Sequence, residues 1–266
     1  MLIGQADLIN FLFGLDDTPK LLMLVGDVGS GRRTLLSEYY TRKGIEMFHV
    51  KHAIQDVREA IRMAYTAHQQ NPVVYIIADA DRLSNDAKNT LLKVTEEPPE
   101  NVYFAMTIED ENNMLDTIKS RSMVCRMEDY TTNQLLLYCT NNDIDKDAAK
   151  IASTPGEINL INQYGVKKFY DYVYKVYEHL SSTSLANAFK ITTKIALKDG
   201  EDGYDLKMFW KMFVYICGED MKLENSRWVN DAKYISITSN HMQALTLRGL
   251  NKSMLFVNWL FDIREA

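Results

Sequence analysis

Leu21-Leu22-Met23-Leu24-Val25-Gly26-Asp27-Val28-Gly29-Ser30-Gly31-Arg32-Arg33-Thr34-Leu35 is the stretch on which the fold turns. An unbroken apolar run ends in a glycine-rich turn, and a helical pattern follows. A run without polar interruption fits a strand covered on both faces, as in a parallel sheet. Val73-Val74-Tyr75-Ile76-Ile77 and Val102-Tyr103-Phe104-Ala105-Met106 have the same character. Between these runs Ile54, Val57, Ile61 and Tyr65 recur at helical spacing, and Asp86 to Val94 reads as a helix stopped by Pro98-Pro99. The order predicts an open α/β sheet with helices on both faces.

The glycine turn has the outline of a phosphate-binding P-loop, G-x-x-x-x-G-K-[ST]. Gly26 and Gly31 keep the spacing, with Gly29 between them, but Arg32 stands where the lysine belongs and Arg33 where the metal-binding hydroxyl belongs. Thr34 comes one residue too late. A planar guanidinium is a poor substitute for a compact ammonium, and a second arginine cannot ligate Mg²⁺. The acidic residue that should follow the next strand is also displaced. In Ile77-Ala78-Asp79-Ala80-Asp81, Ala78 takes the metal-holding position and Asp79 follows it. Two separate losses favour a loop kept for its shape over one that binds Mg²⁺·ATP. The competing reading is that Arg32 and Asp79 rescue nucleotide chemistry.

The most specific segment is Asn89-Thr90-Leu91-Leu92-Lys93-Val94-Thr95-Glu96-Glu97-Pro98-Pro99, followed by Asn101-Val102-Tyr103-Phe104 and by Ile118-Lys119-Ser120-Arg121-Ser122. It closely resembles the clamp-loader AAA+ proteins, in which a helix ending in L-L-K-x-x-E-E-P-P precedes the sensor strand and an S-R-C motif closes the domain. Ile3-Gly4-Gln5 and Asp56-Val57-Arg58 are similar to that family too, and the resemblance covers about residues 1 to 160. Within the family, the pattern is most similar to the delta-prime type of bacterial DNA polymerase III, which has lost ATP binding and kept the arginine.

The resemblance implies an AAA+ α/β domain over residues 1–128, a small helical lid over 129–164 and an all-helical collar over 165–266. It implies that Arg121 is an arginine finger offered to ATP on a neighbouring subunit, that Thr107 is the sensor-1 position, and that the sensor-2 arginine is replaced by Asn159. On this reading the subunit carries no cofactor and has no ATPase activity of its own, with ATP and Mg²⁺ on the neighbour. The implied partners are other clamp-loader subunits in a hetero-pentamer, the sliding clamp, and primer-template DNA reached through the assembled ring. The alternatives are an ATP-binding gamma- or tau-type subunit, and a scaffold in which Arg121 pairs with a surface carboxylate.

Elsewhere the chain reads as helical. Leu135, Leu136, Cys139, Ile144, Ala148, Ile151 and Ala152 mark a small subdomain broken at Pro155-Gly156, and Phe169, Val173, Val176 and Leu180 form one apolar face. Leu185, Phe189, Ile195 and Leu197 continue the theme, Lys198 to Asp205 reads as an exposed turn, and Met208 to Ile216 and Met254 to Ile263 are further helices. The tyrosines and lysines between Lys167 and Tyr177 suit a packed helix better than stacking against single-stranded nucleic acid.

Composition sets the outer limits. At 266 residues, with 46% hydrophobic and 25% charged residues, the chain is ordinary globular material of about two domains, neither fibrous nor disordered. Thirty basic and 36 acidic residues give a net charge of −6, which speaks against indiscriminate coating of nucleic acid. Cys125, Cys139 and Cys217 form neither a disulfide framework nor a metal-ligand pair, and the five histidines lack metal spacing. With no apolar run of membrane-spanning length and no basic leader, a cytoplasmic protein without membrane contact and without a metal site is expected.

Overall fold

The computed structural model describes residues 3–66, 71–180, 187, 188, 190, 192, 194–196, 202–222, 228–245 and 250–266. It divides into two compact units, Met1–Gln134 with Thr154–Gly156, and Leu135–Ser153 with Glu157–Ala266.

The first unit is built on five parallel strands: β1 (Leu21–Val25), β2 (Glu46–Val50), β3 (Val73–Ile77), β4 (Val102–Ile108) and β5 (Met123–Arg126). Their order is β2-β3-β4-β1-β5. The three apolar runs form the centre of the sheet, as expected. Every residue of β1 and β3 is buried. Successive side chains leave a strand on opposite faces, so Met23, Tyr75, Phe104 and Met106 share one core with Val57, Ala60 and Leu91. Leu22, Leu24, Ile76 and Ala105 share the other with Leu12, Leu35, Leu36 and Tyr40. Helices α3 (Ile54–Thr66) and α4 (Asn85–Glu96) thus cover one face, and α1 (Ala6–Phe13) and α2 (Arg32–Arg42) the other.

Helix α4 follows the sequence closely. Ser84 Oγ accepts the Ala87 N–H at 3.2 Å at its start, a standard N-cap, and Pro98-Pro99 prevents its continuation. A short helix, α5 (Asp116–Lys119), leads into β5. Gln5 is fully buried and clamps the backbone of Glu128, donating to its carbonyl and accepting its N–H, each at 2.9 Å. The edge strands β2 and β5 were absent from the sequence expectation and complete the sheet.

The second unit carries most of α6 (Thr132–Asn141) and α7 (Pro155–Tyr164), then α8 (Val166–Leu180), α9 (Leu206–Lys222), α10 (Trp228–Ala244) and α11 (Lys252–Glu265). Phe169, Val173, Val176 and Leu180 of α8 are all buried, as their spacing predicts. The core centres on Trp259 of α11, whose ring lies 5.6 Å from Phe209 and 5.2 Å from Phe213 of α9. Its indole N–H donates to Thr238 Oγ1 at 2.9 Å, the partner a buried indole requires.

The all-helical expectation needs one correction. Ile195–Ala196 (β6) and Tyr204–Asp205 (β7) pair as two short parallel strands. Tyr204 is not in an exposed turn: it is buried, with its ring 4.7 Å from that of Phe169, and that aromatic anchor holds the pair. Leu185, Phe189, Leu197 and residues 198–201 lie outside the described residues. Among the described residues, no helix is long and apolar enough to cross a membrane.

Candidate functional site

At the carboxyl end of β1 the chain turns through Gly26–Gly31 into α2. The Gly26 N–H donates to Ile108 O at 3.1 Å and ties the loop to β4. Gly29 and Gly31 have φ of +82° and +96°, values a side chain would disfavour. Three groups from later in the same unit hold the loop's carbonyls. Tyr130 OH donates to Ser30 O at 2.7 Å, Thr154 Oγ1 to Val28 O at 3.1 Å, and the Gly156 N–H to Gly29 O at 3.0 Å. A Cβ on Gly156 would lie 2.4 Å from Gly29 Cα, so the two backbones meet with no room for a methyl group.

The two arginines that open α2 converge on one carboxylate. Arg33 Nη2 donates to Asp79 Oδ2 at 2.5 Å, and Arg32 Nη2 lies 3.6 Å from Asp79 Oδ1. Arg32 is 6% exposed, and burial pushes its guanidinium down from the ordinary value, against Asp79, Glu109 and Asp81, which raise it. Asp79 has a left-handed backbone, φ 49° and ψ 46°, a conformation aspartate tolerates better than most residues. Its N–H donates to Thr107 Oγ1 at 2.9 Å, and Thr107 is fully buried at the end of β4. The structure therefore brings together Gly26, Gly29, Gly31, Arg32, Asp79 and Thr107. Ala78 supplies no carboxylate, and its carbonyl is hydrogen-bonded with His52 Nε2. Thr34 is exposed on the first turn of α2.

This donor set does not fit Mg²⁺·nucleotide. The hydroxyl position is a guanidinium, the metal-holding position is a methyl group, and Asp79 already carries two cations. Among the described residues, no group of three or more histidine, cysteine, aspartate or glutamate side chains is arranged to hold a metal ion.

Arg121 stands at the other end of the sheet. Strands β1 and β5 are parallel, with Leu22 opposite Met123 and Val25 opposite Arg126. Arg121 precedes β5 at the amino ends of the strands, whereas the glycine loop follows β1 at their carboxyl ends. Five to six residues of strand rise separate them, roughly 16–20 Å. Arg121 Nη2 donates to Glu96 Oε1 at 3.0 Å and Nη1 to Thr117 O at 2.7 Å. Glu96 closes α4 in the L-L-K-x-x-E-E-P-P segment, so the two most specific stretches of the sequence meet at this edge. Ser122 Oγ turns back onto Ile118 O at 2.7 Å.

Asn159 belongs to the second unit. There its side chain and Tyr138 OH are mutual partners, with contacts of 3.1 Å from Oδ1 and 3.0 Å from Nδ2. Sequence reasoning missed Tyr130, Thr154 and Glu96 as partners of the named residues. Pro155-Gly156 was visible as a break, but its contact with Gly29 spans 127 positions and leaves no local signal.

Residues 36–131 match the family model described as DNA polymerase III, delta subunit. That stretch carries the likeness to the family. It contains both the L-L-K-x-x-E-E-P-P segment and Arg121, and the resemblance read from the sequence is borne out. The chain is 24% identical over 220 residues to DNA polymerase III subunit delta' of Buchnera aphidicola subsp. Baizongia pistaciae, covering 78% of this chain and 62% of that protein. It is 32% identical over 107 residues to DNA polymerase III subunit tau of Bacillus subtilis, covering 40% of this chain and 18% of that one. The chain thus spans less than two thirds of the length of these relatives. Among solved structures, a DNA polymerase III gamma subunit-related protein from Thermotoga maritima superposes with a TM-score of 0.53 at 18% identity over 98% of both chains. At that identity the likeness concerns the fold alone, a parallel α/β sheet followed by a helical C-terminal region.

Proposed function

We propose that this chain is a non-hydrolysing, delta-prime-like clamp-loader subunit of a DNA polymerase III-type replication machine. Its task in that reading is to extend Arg121 to ATP bound by an adjacent subunit and so help a sliding clamp onto primed DNA. Residues 1–128 form the AAA+ domain, 129–164 the lid and 165–266 the collar through which a hetero-pentamer assembles. The subunit itself takes no cofactor; ATP and Mg²⁺ sit on the neighbour, primer-template DNA is reached through the ring, and the machine works in the cytoplasm.

The observation that carries this reading is the position of Arg121. It lies at the amino edge of the sheet, far from its own loop, inside the segment matched to the family. An arginine so distant from the loop of its own chain does not complete that loop, which supports a role toward a site on another chain. A guanidinium supplied in trans stabilises charge developing on the transferred phosphoryl group, by about 10³ to 10⁵ in rate where it has been studied. The loop chemistry supports the other half, because Arg33 and Ala78 remove both protein ligands that Mg²⁺ would use.

The deciding experiment is the ATPase rate of the reconstituted loader with Arg121→Ala and Arg121→Lys. A steep loss in both, with assembly intact, is expected, since lysine does not reproduce a planar fork. Unchanged turnover would leave a scaffold. The likeness to tau favours a second reading, a nucleotide-binding subunit, which saturable ATP binding by the isolated chain would support.

A further inference from the structure

Asp79 follows the metal-holding position taken by Ala78, and its carboxylate faces the two arginines of the loop. The first turn of α2 combines backbone N–H groups without intrahelical acceptors with Arg32 and Arg33. Arg32 is 6% exposed, and a cation so nearly buried requires an anion beside it. Its Nη1 has no hydrogen-bond partner among the described residues, and neither does buried Ser30 Oγ in the same loop. The carboxylate that answers this demand comes from just beyond the next strand but one, on a residue whose backbone N–H donates to the Thr107 hydroxyl and whose left-handed backbone accompanies a side chain placed against both guanidinium groups.

We propose that the Asp79 carboxylate is the resident occupant of the loop's anion site, standing where an oxyanion would otherwise be held. The loop has kept an anion-binding shape while acquiring its own anion. Removing that carboxylate converts the loop into a site for a polyphosphate such as pyrophosphate, bound without Mg²⁺ and without hydrolysis. Tyr130, Thr154 and Gly156 engage the carbonyls of Ser30, Val28 and Gly29, so they hold the loop's shape and leave its cationic side to Asp79. The inference goes beyond the clamp-loader reading and stands whether or not Arg121 acts in trans.

The test uses the full chain and the variants Asp79→Ala and Asp79→Asn, titrated with Mg²⁺-free sodium pyrophosphate by calorimetry and by thermal unfolding, with chloride at matched ionic strength as control. Both variants should bind pyrophosphate saturably, about ten- to a hundred-fold more tightly than the natural chain, the worth of one or two charge-assisted hydrogen bonds. Adding Arg32→Ala to either variant should abolish the gain. Asp79 is 19% exposed, and the charge-balanced pair Arg33→Gln with Asp79→Asn guards against a folding defect from unopposed cations. Binding by the natural chain equal to that of the variants, or no saturable binding by any folded variant, overturns the proposal.

Discussion

Arg121 and Glu96 form an ion pair of 3.0 Å at the amino edge of the sheet, so the arginine proposed to reach a neighbour's ATP carries a counter-ion of its own when the chain stands alone. The arginine is 36% and the glutamate 54% exposed, and pairs of that kind contribute about 0–1 kcal/mol. Such a hold orients the guanidinium and yields readily to a phosphate, which offers more charge and more acceptors.

Arg121→Ala should therefore leave the isolated chain almost unaltered while acting on the assembled machine. We expect a change of less than about 1 kcal/mol in unfolding free energy. In the reconstituted loader, ATP turnover should fall by about 10³-fold or more. Denaturant unfolding and steady-state ATPase assays check the two halves separately.

Saturating Mg²⁺·ATP should not move the thermal midpoint of the natural chain. A ligand at 100 times its dissociation constant adds about 2.7 kcal/mol, which for a chain of this size is a displacement of several degrees. Differential scanning fluorimetry reads this directly, and a reproducible rise would mean that Arg32 accepts a nucleotide after all.

Gly156→Ala should destabilise the first unit. The added methyl carbon would lie 2.4 Å from Gly29 Cα, a distance relieved only by moving backbone. Overpacking of this kind costs about 1–3 kcal/mol, and the hydrogen bond from the Gly156 N–H to Gly29 O would be strained with it. Hydrogen exchange of the loop amides should rise before global unfolding does.

Glu157 gives the second unit an acid-sensitive joint. Burial alone would raise its carboxyl, but Lys211, the Ser153 N–H and Lys207 outweigh that and hold it below the usual carboxylate range. Lys211 Nζ lies 2.5 Å from Oε2 and Lys207 Nζ 3.3 Å from Oε1. A carboxyl held lower in the folded than in the unfolded chain contributes stability that is complete above the unfolded value, near pH 4.3, and lost as pH falls through the folded one. Glu157→Gln should flatten that acid limb and cost about 1–3 kcal/mol at neutral pH, because Lys211, 13% exposed, would lose its counter-ion. Urea unfolding between pH 3 and 7 separates the two effects.

What could be read from the residues followed how strongly each element is buried. Strands β1, β3 and β4 announce themselves because both faces are covered and no polar residue interrupts them. Strand β2 escaped notice because it lies at an edge: Glu46, Phe48 and His49 are exposed, so it shows neither a continuous apolar run nor a clean alternation. Met123-Val124-Cys125-Arg126 is too short and too mixed to stand out, and it becomes a strand only through β1 beside it. The β6–β7 pair depends on Tyr204 meeting Phe169 across 35 positions. At the site, the substitutions at positions 32, 33 and 78 were plain in the sequence. Their consequence was not, since the bond from Arg33 to Asp79 joins residues 46 positions apart. Arg121 was legible through its motif, and Glu96 through its own, but nothing local said that the two would touch.

The strand order has a last consequence. Because all five strands point the same way, Arg121 and the glycine loop lie at opposite ends of the sheet, which on the proposed reading are a donor side and a receiver side. Copies that possess both sides could follow one another head to tail without limit until they close. A copy whose receiver side is filled by its own Asp79 has no use for a neighbour's arginine there. In the proposed assembly such a chain can begin a series but cannot continue one, and its two arginines and one aspartate would set the point at which the ring is interrupted.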